Sequence, residues 1–201
     1  MHLFFDTETS GFPSKTLAPS DPKQAWIVQF AYILGSEETI FSQGSFIIKA
    51  QGRTIHPGAA QVHGLTTFIA DLVGITEYSL AELISDLLQV SSLNICHNFP
   101  FDSQMVDNLL ARNGFDVKLN QFPNYCTMKN STNLCKIPHP KHGGNKWPKL
   151  EELHRFLFNE EFEGAHDALA DVRATRRCYY ELIKRLEPAE VVAEDGAAKE
   201  E

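Results

Sequence analysis

The sequence has little that would direct it to a membrane or to an oxidising compartment. Its 201 residues contain no uninterrupted run of the ~18 apolar residues that a membrane span needs. Asp6 and Glu8 lie where a secretory signal would need its apolar stretch. The four cysteines are irregularly spaced and include no C-x-x-C pair, so a disulfide framework is not expected. We therefore expect a cytoplasmic protein without membrane association.

An excess of basic charge is also missing, since the formal net charge is −8. Most of this charge lies in residues 187–201, which hold six acids and one lysine, a net of −5. Residues 1–186 carry only −3, so binding of a polyanion is not excluded. Large apolar residues stop recurring after Arg185. We expect one domain over residues 1–186 and an acidic, disordered tail over residues 187–201.

The apolar patterns predict an α/β domain. A short apolar strand leads into Asp6, and two β-branched and aromatic runs predict a hairpin. Two further short strands are expected, the second one weaker. Apolar residues three and four apart predict four helices. After the first strand, the expected strands are Trp26–Leu34 and Thr39–Ile48 in the hairpin, then Leu93–Cys96 and one near Tyr125. The expected helices are Leu80–Leu88, Phe101–Leu110, Leu150–Leu157 and Val172–Leu186. Strands that come first and then alternate with helices indicate a mixed five-stranded sheet flanked by helices.

Carboxylates recur where strands end and helices begin. Asp6 and Glu8 are two residues apart on an extended chain, so they point to the same side. Asp102 and Asp171 each fall near the start of a predicted helix, where the helix dipole alone would explain a single acid. In an α/β sheet these positions share one edge, where ligands bind. Clustered carboxylates repel one another unless they protonate or bind cations, and oxygen ligands select Mg²⁺ or Mn²⁺. The sequence predicts a metal site.

The same acids stand in three motifs, D-T-E-T-S-G, H-N-F-P-F-D and H-D-A-L-A-D. In order and spacing these resemble the exonuclease motifs of the DEDDh (DnaQ-like) 3′→5′ exonucleases, the family that includes the proofreading ε subunit of bacterial DNA polymerase III. The segment Ile55–Thr66 is similar to a stretch that the family carries between its first two motifs. The resemblance covers residues 1–186 and implies an RNase H-like fold.

The resemblance also implies an activity. It implies release of nucleoside 5′-monophosphates from DNA 3′ ends, preferably single-stranded, by two-metal-ion phosphodiester hydrolysis. Asp6, Glu8, Asp102 and Asp171 would hold two Mg²⁺ or Mn²⁺ ions, with Asp6 bridging both. His166, five residues before Asp171, would be the general base.

Two alternatives remain open at this stage. The first is an RNA 3′→5′ exonuclease, oligoribonuclease-like or RNase T-like, because a site that contacts phosphate does not distinguish the two polymers. The second is a catalytically silent module that binds 3′ ends, although the presence of all four acids and His166 argues against it. No Q-L-x-L-F-like peptide follows the third motif, so association with a polymerase or sliding clamp is not indicated.

Residues 129–149 form a basic, turn-rich segment that holds five lysines and no acid. Such a segment can grip a nucleic-acid backbone and stack an aromatic ring on a base, or it can be a solvated loop that Trp147 anchors to the core. Phe12 either wedges against a terminal base or covers the core. The side chains that we expect to contact single-stranded DNA or RNA 3′ ends are Thr7, Thr9, Phe12, Asn98, Lys141, Lys146 and Trp147.

A zinc site is the less favoured interpretation of this region. Cys126, Cys135, His139 and His142 are suitable ligand types. Structural zinc sites usually begin with a close C-x₂₋₄-C pair, which is missing here. We do not expect zinc.

Overall fold

The computed structural model describes residues 1–186, and the predicted acidic tail at residues 187–201 lies outside the described residues. Its centre is one five-stranded sheet with the strand order β3-β2-β1-β4-β5. The β1–β2 and β2–β3 pairs are antiparallel, and the β1–β4 and β4–β5 pairs are parallel. The predicted mixed sheet is confirmed. The strands are β1 (His2–Thr9), β2 (Ile27–Gly35), β3 (Ile40–Ile47), β4 (Leu93–Cys96) and β5 (Asn124–Cys126).

Seven α-helices surround the sheet within the described residues: α1 (Pro57–His63), α2 (Thr67–Val73), α3 (Glu77–Val90), α4 (Phe99–Arg112), α5 (Thr127–Cys135), α6 (Leu150–Phe158) and α7 (Ala168–Leu186). The four predicted helices correspond to α3, α4, α6 and α7. Sequence analysis missed α1, α2 and α5, which have seven, seven and nine residues. None of the helices in residues 1–186 is both long and apolar enough to cross a membrane.

Alternation along β1 determines what each face of the sheet contacts. Leu3 and Phe5 belong to the larger apolar cluster, which contains residues of α3 and α4. Phe4 belongs to a second cluster, with Val172 and Tyr179 of α7. Because successive side chains of a strand point to opposite faces, Asp6 and Glu8 continue the α7 side and Thr7 continues the α4 side.

The two strands next to β1 pair with it over different lengths. β2 pairs along β1 from His2 to Thr9. β4 pairs with β1 at His2, Leu3 and Phe4, and α4 begins three residues after β4 ends. The second half of β1 therefore projects past β4 toward the start of α4, so acids from both elements can approach one another.

Candidate active site

The four predicted acids converge at the carboxyl end of β1. Asp6 and Glu8 are partly buried on the strand, and Asp102 and Asp171 are 3% and 9% exposed at the starts of α4 and α7. Oxygen atoms of Glu8 and Asp171 and a ring nitrogen of His166 all lie within 4.8 Å of one another. The structure thus brings together side chains that are up to 165 positions apart in the sequence.

Crowding and burial shift the protonation of these acids. Burial raises the pKa of Glu8 to about 8, and the nearby carboxylates of Asp171 and Asp102 add to the shift. Burial raises the pKa of Asp102 to about 7 and that of Asp171 to about 6. The pKa of Asp6 lies well above its usual range because of burial and then of Asp102 and Asp171. In the metal-free protein these acids therefore hold their protons to a higher pH than ordinary carboxyl groups do.

Asp102 is held by the side chain of Thr7. The Thr7 hydroxyl donates a 2.7 Å hydrogen bond to Asp102 Oδ1. This hydrogen bond opposes the effect of burial and lowers the pKa of Asp102. The helix that carries Asp102 begins after Asn98, which adopts the left-handed conformation with φ 72° and ψ 48°. Asparagine tolerates this conformation, and Pro100 is accepted in the first turn because the amides there have no intrahelical partner.

His166 lies in an exposed loop just before α7. It has a positive φ of 70°, and its backbone N–H donates to Asp171 Oδ2 at 3.1 Å. Asp167 Oδ1 accepts the backbone N–H groups of Leu169 and Ala170, each at 3.1 Å, which is the geometry of a helix N-cap. The cap starts the helix that carries Asp171, and it directly follows His166.

The donor set fits a divalent cation. Carboxylate oxygens are the ligands that Mg²⁺ and Mn²⁺ prefer, and Asp6, Glu8, Asp102 and Asp171 supply them here. Burial and then the neighbouring carboxylates raise the pKa of Asp6 and Glu8, and a bound cation would favour the ionised form of both. Among residues 1–186, Glu8, His166 and Asp171 form the one group of three or more ligand side chains with this spacing.

An open cleft of about 900 Å³ adjoins Glu8. Phe12, which is 89% exposed, and Phe101 stand on its wall with their ring centroids 6.0 Å apart in an edge-to-face arrangement. His63 also lines the cleft, and its Nε2 lies 3.3 Å from the carbonyl oxygen of Thr9. The cleft presents aromatic rings at the end of the strand that bears the acids.

Three of the predicted substrate-contacting residues lie along this cleft. Thr7, Thr9 and Phe12 are part of its lining. The hydroxyl of Thr7 is already bonded to Asp102, and that of Thr9 donates to the carbonyl of Gly11 at 3.0 Å. Phe12 has the most accessible side chain of the three.

The predicted basic segment lies beside the connection between β4 and α4. His97 Nε2 is 3.0 Å from the carbonyl oxygen of Pro148, and its Nδ1 is 2.9 Å from Thr127 Oγ1. Trp147 is 62% exposed, and Lys141 is exposed. The ammonium group of Lys146 instead binds both carboxylate oxygens of Glu152, at 2.5 and 2.6 Å.

The zinc interpretation finds no support in the geometry. Cys126 and Cys135 lie at opposite ends of α5, so about 13 Å of helix separates them at 1.5 Å per residue. His139 and His142 lie close together, with ring centroids 4.7 Å apart. His139 Nδ1 accepts the backbone N–H groups of Lys141 and His142, so this nitrogen is used within the loop.

Sequence analysis missed two acids near the site. Asp167 contributes to the raised pKa values of Asp6 and Glu8, and Glu151 to that of Asp171. An aspartate three residues after a glycine and directly before an apolar helical pattern is a helix N-cap signal, which would have singled out Asp167. No local signal points to Glu151, because only the packing of α6 beside α7 brings it near.

Solved structures that are similar to this chain include those of E. coli exonuclease I. The E. coli enzyme in complex with a dT13 oligonucleotide is 26% identical with a TM-score of 0.72, and the match covers 91% of this chain and 40% of that one. A zinc-bound form of the E. coli exonuclease I complex with single-stranded DNA is also 26% identical with a TM-score of 0.72, covering 93% of this chain and 41% of that one. The chain has an RNase H-like fold.

The RNase H-like domain thus spans about two fifths of the length of these solved structures. No family model matches the sequence. No curated protein matches it either. The similarity to exonuclease I agrees with the fold that the three sequence motifs implied.

Proposed function

We propose that this protein is a metal-dependent 3′→5′ exonuclease that releases nucleoside 5′-monophosphates from single-stranded DNA. The observation that carries the proposal is the convergence of Asp6, Glu8, Asp102 and Asp171 beside His166. Exonuclease I, which has the same fold, is bound to single-stranded DNA oligonucleotides in several of its structures.

In this proposal the four acids hold two Mg²⁺ or Mn²⁺ ions. When bound, such a pair of cations stabilises the charge that develops on the attacking and leaving oxygens of an in-line displacement. Asp6 would help to hold these ions, since it lies close enough to Asp102, Asp171 and Glu8 for their charges to add to the effect of burial in raising its pKa. The Thr7 hydroxyl orients the carboxylate of Asp102.

His166 supplies the base. Its ring is exposed, and one ring nitrogen lies within 4.8 Å of carboxylate oxygens of Glu8 and Asp171. A neutral imidazole has one ring nitrogen that can accept the proton of the attacking water. The water oxygen bonds to the phosphorus of the terminal nucleotide while the bond from that phosphorus to the 3′ oxygen of the shortened strand breaks, and this 3′ oxygen takes up a proton from solvent.

The cleft beside Glu8 supports a single strand as substrate. Phe12 and Phe101 offer aromatic surfaces, and stacking of an unpaired base on such a ring contributes about 1–3 kcal/mol without sequence preference. Exposed Lys141 and Trp147 are proposed to contact the strand beyond the cleft. Lys146 is the weaker candidate because Glu152 already neutralises it.

The test is a release assay on matched 5′-labelled single-stranded DNA and RNA of one sequence, with Mg²⁺, with Mn²⁺ and with EDTA. We expect stepwise shortening from the 3′ end of DNA with either metal and none with EDTA. The matched controls are Asp6→Asn and Glu82→Gln, the latter an exposed acid on α3. Asp6→Asn is expected to abolish release and Glu82→Gln to preserve it.

Each outcome assigns a different activity. Faster release from RNA would make the protein an RNA exonuclease. Binding of 3′ ends with no release under any metal condition would make it a silent binding module. Shortening that continues in EDTA would overturn the metal-dependent proposal.

A further inference from the structure

Gln29 is a buried glutamine beside the site that the proposed mechanism does not use. It lies on β2 directly opposite Glu8 in the antiparallel β1–β2 pair and is 8% exposed. Directly opposed residues of such a pair have their side chains on the same face, with Cβ atoms about 4.5–5.5 Å apart. The Gln29 side chain therefore shares the face of Glu8, which is the α7 side.

The amide of Gln29 connects two parts of the molecule. Its Nε2 donates to Ser45 Oγ on β3 at 3.0 Å and to Asp167 Oδ2 at 3.4 Å. Asp167 is 138 positions away along the chain and directly follows His166. A residue of the central sheet is thus hydrogen-bonded to the loop that carries the proposed base.

The two oxygens of Asp167 have separate partners. Oδ1 caps α7 through the amides of Leu169 and Ala170, and Oδ2 accepts from Gln29. The cap alone keeps Asp167 on its helix, but it does not tie the helix start to the sheet. The hydrogen bond from Gln29 ties the Asp167 side chain to the sheet, beside the packing of Ala168 in one apolar cluster with Phe4 of β1 and Ala31 of β2.

His166 needs such a tie because its own loop restrains it little. The residue is exposed and has a positive φ of 70°, which is uncommon for a residue other than glycine. Its backbone hydrogen bond goes to Asp171 on the same helix, so it does not fix the loop against β1. Displacing a reacting group by about 1 Å can reduce a rate about a hundredfold.

We propose that Gln29 is a positioning residue for His166, holding the loop of residues 164–167 against the sheet through Asp167 so that the imidazole stays beside Glu8. The proposal rests on the proposed function for the role of His166 in the reaction. The structural link from Gln29 to the loop can be tested without any activity.

The first measurement is hydrogen–deuterium exchange of the metal-free protein, wild type against Gln29→Met. Methionine keeps the buried volume and removes the donor. Ser45 and Asp167 are exposed, so water can replace the lost partner and the fold is expected to persist. Exchange of the amides of residues 166–171 should rise roughly fivefold, as expected for loss of one hydrogen bond. The matched control is Gln43→Met on β3, an exposed glutamine.

The second measurement is steady-state kinetics. Gln29→Met should lower kcat roughly 10- to 100-fold and leave KM within about twofold, because Gln29 does not line the cleft. If Gln29 acts through His166, adding Gln29→Met to His166→Ala should cause almost no further loss. Fully multiplicative losses would show that it acts elsewhere.

A third variant covers the case in which Gln29→Met does not fold. Asp167→Asn keeps a good capping side chain and changes the group that faces Gln29. It should raise exchange at residues 166–167 and leave the amides of Leu169 and Ala170 protected. Unchanged exchange of the loop in both variants would overturn the link. If wild type released no nucleotide, the proposed function would fail, and exchange alone would still decide whether Gln29 restrains the loop.

Discussion

The hydroxyl of Thr7 donates a 2.7 Å hydrogen bond to Oδ1 of Asp102, which joins the strand that bears two of the acids to the helix that bears a third. Thr7 points away from Asp6 and Glu8, toward the α4 side of the sheet. The bond therefore orients Asp102 from the opposite face. It also keeps more of that carboxyl group ionised than burial alone would allow.

Thr7→Val should weaken metal binding. Valine keeps the shape and removes the donor, so the pKa of Asp102 rises further and its carboxylate becomes free to rotate. Loss of such a supporting hydrogen bond typically reduces metal affinity about 10- to 100-fold. Titration calorimetry measures the Mn²⁺ affinity of both proteins, and Thr39→Val in the β2–β3 turn is the control. An unchanged Mn²⁺ affinity would mean that Asp102 is not a ligand or that Thr7 does not orient it.

The metal-free protein should lose stability as pH rises from about 4, the ordinary carboxyl pKa, to about 8. The folded-state pKa values of Glu8, Asp102 and Asp171 are raised to about 8, 7 and 6. An acid with a raised pKa binds more protons when folded, so ionisation across this window favours unfolding. Melting temperatures at several pH values measure the slope, and saturating Mn²⁺ should reduce it because an ion bound to these carboxylates favours their ionised form in the folded protein.

Asp6→Asn is the companion test for this charge repulsion. Removing one acid from a cluster that repels itself should leave the metal-free melting temperature no lower than that of wild type. The pH slope should become shallower, and the stabilisation by Mn²⁺ should largely disappear. A clear fall in the metal-free melting temperature would instead identify Asp6 as a structural residue.

Glu77→Gln should destabilise the fold far from the site. Glu77 Oε1 accepts from Arg112 at 2.6 Å and from Arg53 at 3.1 Å, and the side chain is only 10% exposed. Breaking a buried ion pair typically costs about 3–5 kcal/mol, because the remaining charges lose their partner. Urea unfolding measures the change in the free energy of unfolding. The control is Glu181→Gln, which removes one partner of the more exposed Glu181–Arg185 pair on α7 and should change stability by less than about 1 kcal/mol.

The pH dependence of this ion pair has the opposite sign. Hydrogen bonds and charge from Arg112 and Arg53 outweigh burial and lower the pKa of Glu77. Its contribution is therefore complete above the ordinary glutamate value and is lost as pH falls through the lowered pKa. Below pH ~4 the wild type should approach the stability of Glu77→Gln. A constant difference between the two proteins down to pH ~2 would contradict this.

His166→Ala should retain metal and DNA binding while kcat falls roughly 10²- to 10⁴-fold, the usual contribution of a positioned base. His142→Ala, in the exposed 139–145 turn, is the matched control. A variant that kept the wild-type rate would exclude His166 as the base.

Lys141→Ala and Lys146→Ala should differ in their effect on binding of single-stranded DNA. Lys141 is exposed, whereas Lys146 is bound to Glu152. If Lys141 contacts a phosphate, its loss should reduce the slope of log affinity against log salt by about 0.7. Lys146→Ala should change the slope less. If neither variant changed the slope, residues 129–149 would be a solvated loop that does not contact the DNA.

Sequence analysis predicted the elements whose signal is local and repeated. The hairpin, β4 and the long helices were found because their apolar residues recur with the period of the element that buries them. The missed helices α1 and α2 lack this signal, since α1 has no buried residue and α2 buries only Ala70. Capping interactions, such as the hydrogen bond from Ile69 N–H to Thr66 Oγ1, define them instead. Such a cap contributes only about 1 kcal/mol and leaves a weak pattern in the sequence.

The candidate site also has features that follow from the sequence and others that follow only from the tertiary structure. The sequence by itself determined which acids stand at the strand end and the helix starts, because their spacing and motif order are properties of the chain. Only the tertiary structure decided that Thr7 faces Asp102, that Lys146 is paired with Glu152, and that Gln29 reaches Asp167. Those contacts depend on strand register and helix packing, which join residues up to 138 positions apart, and no local preference of the chain encodes them.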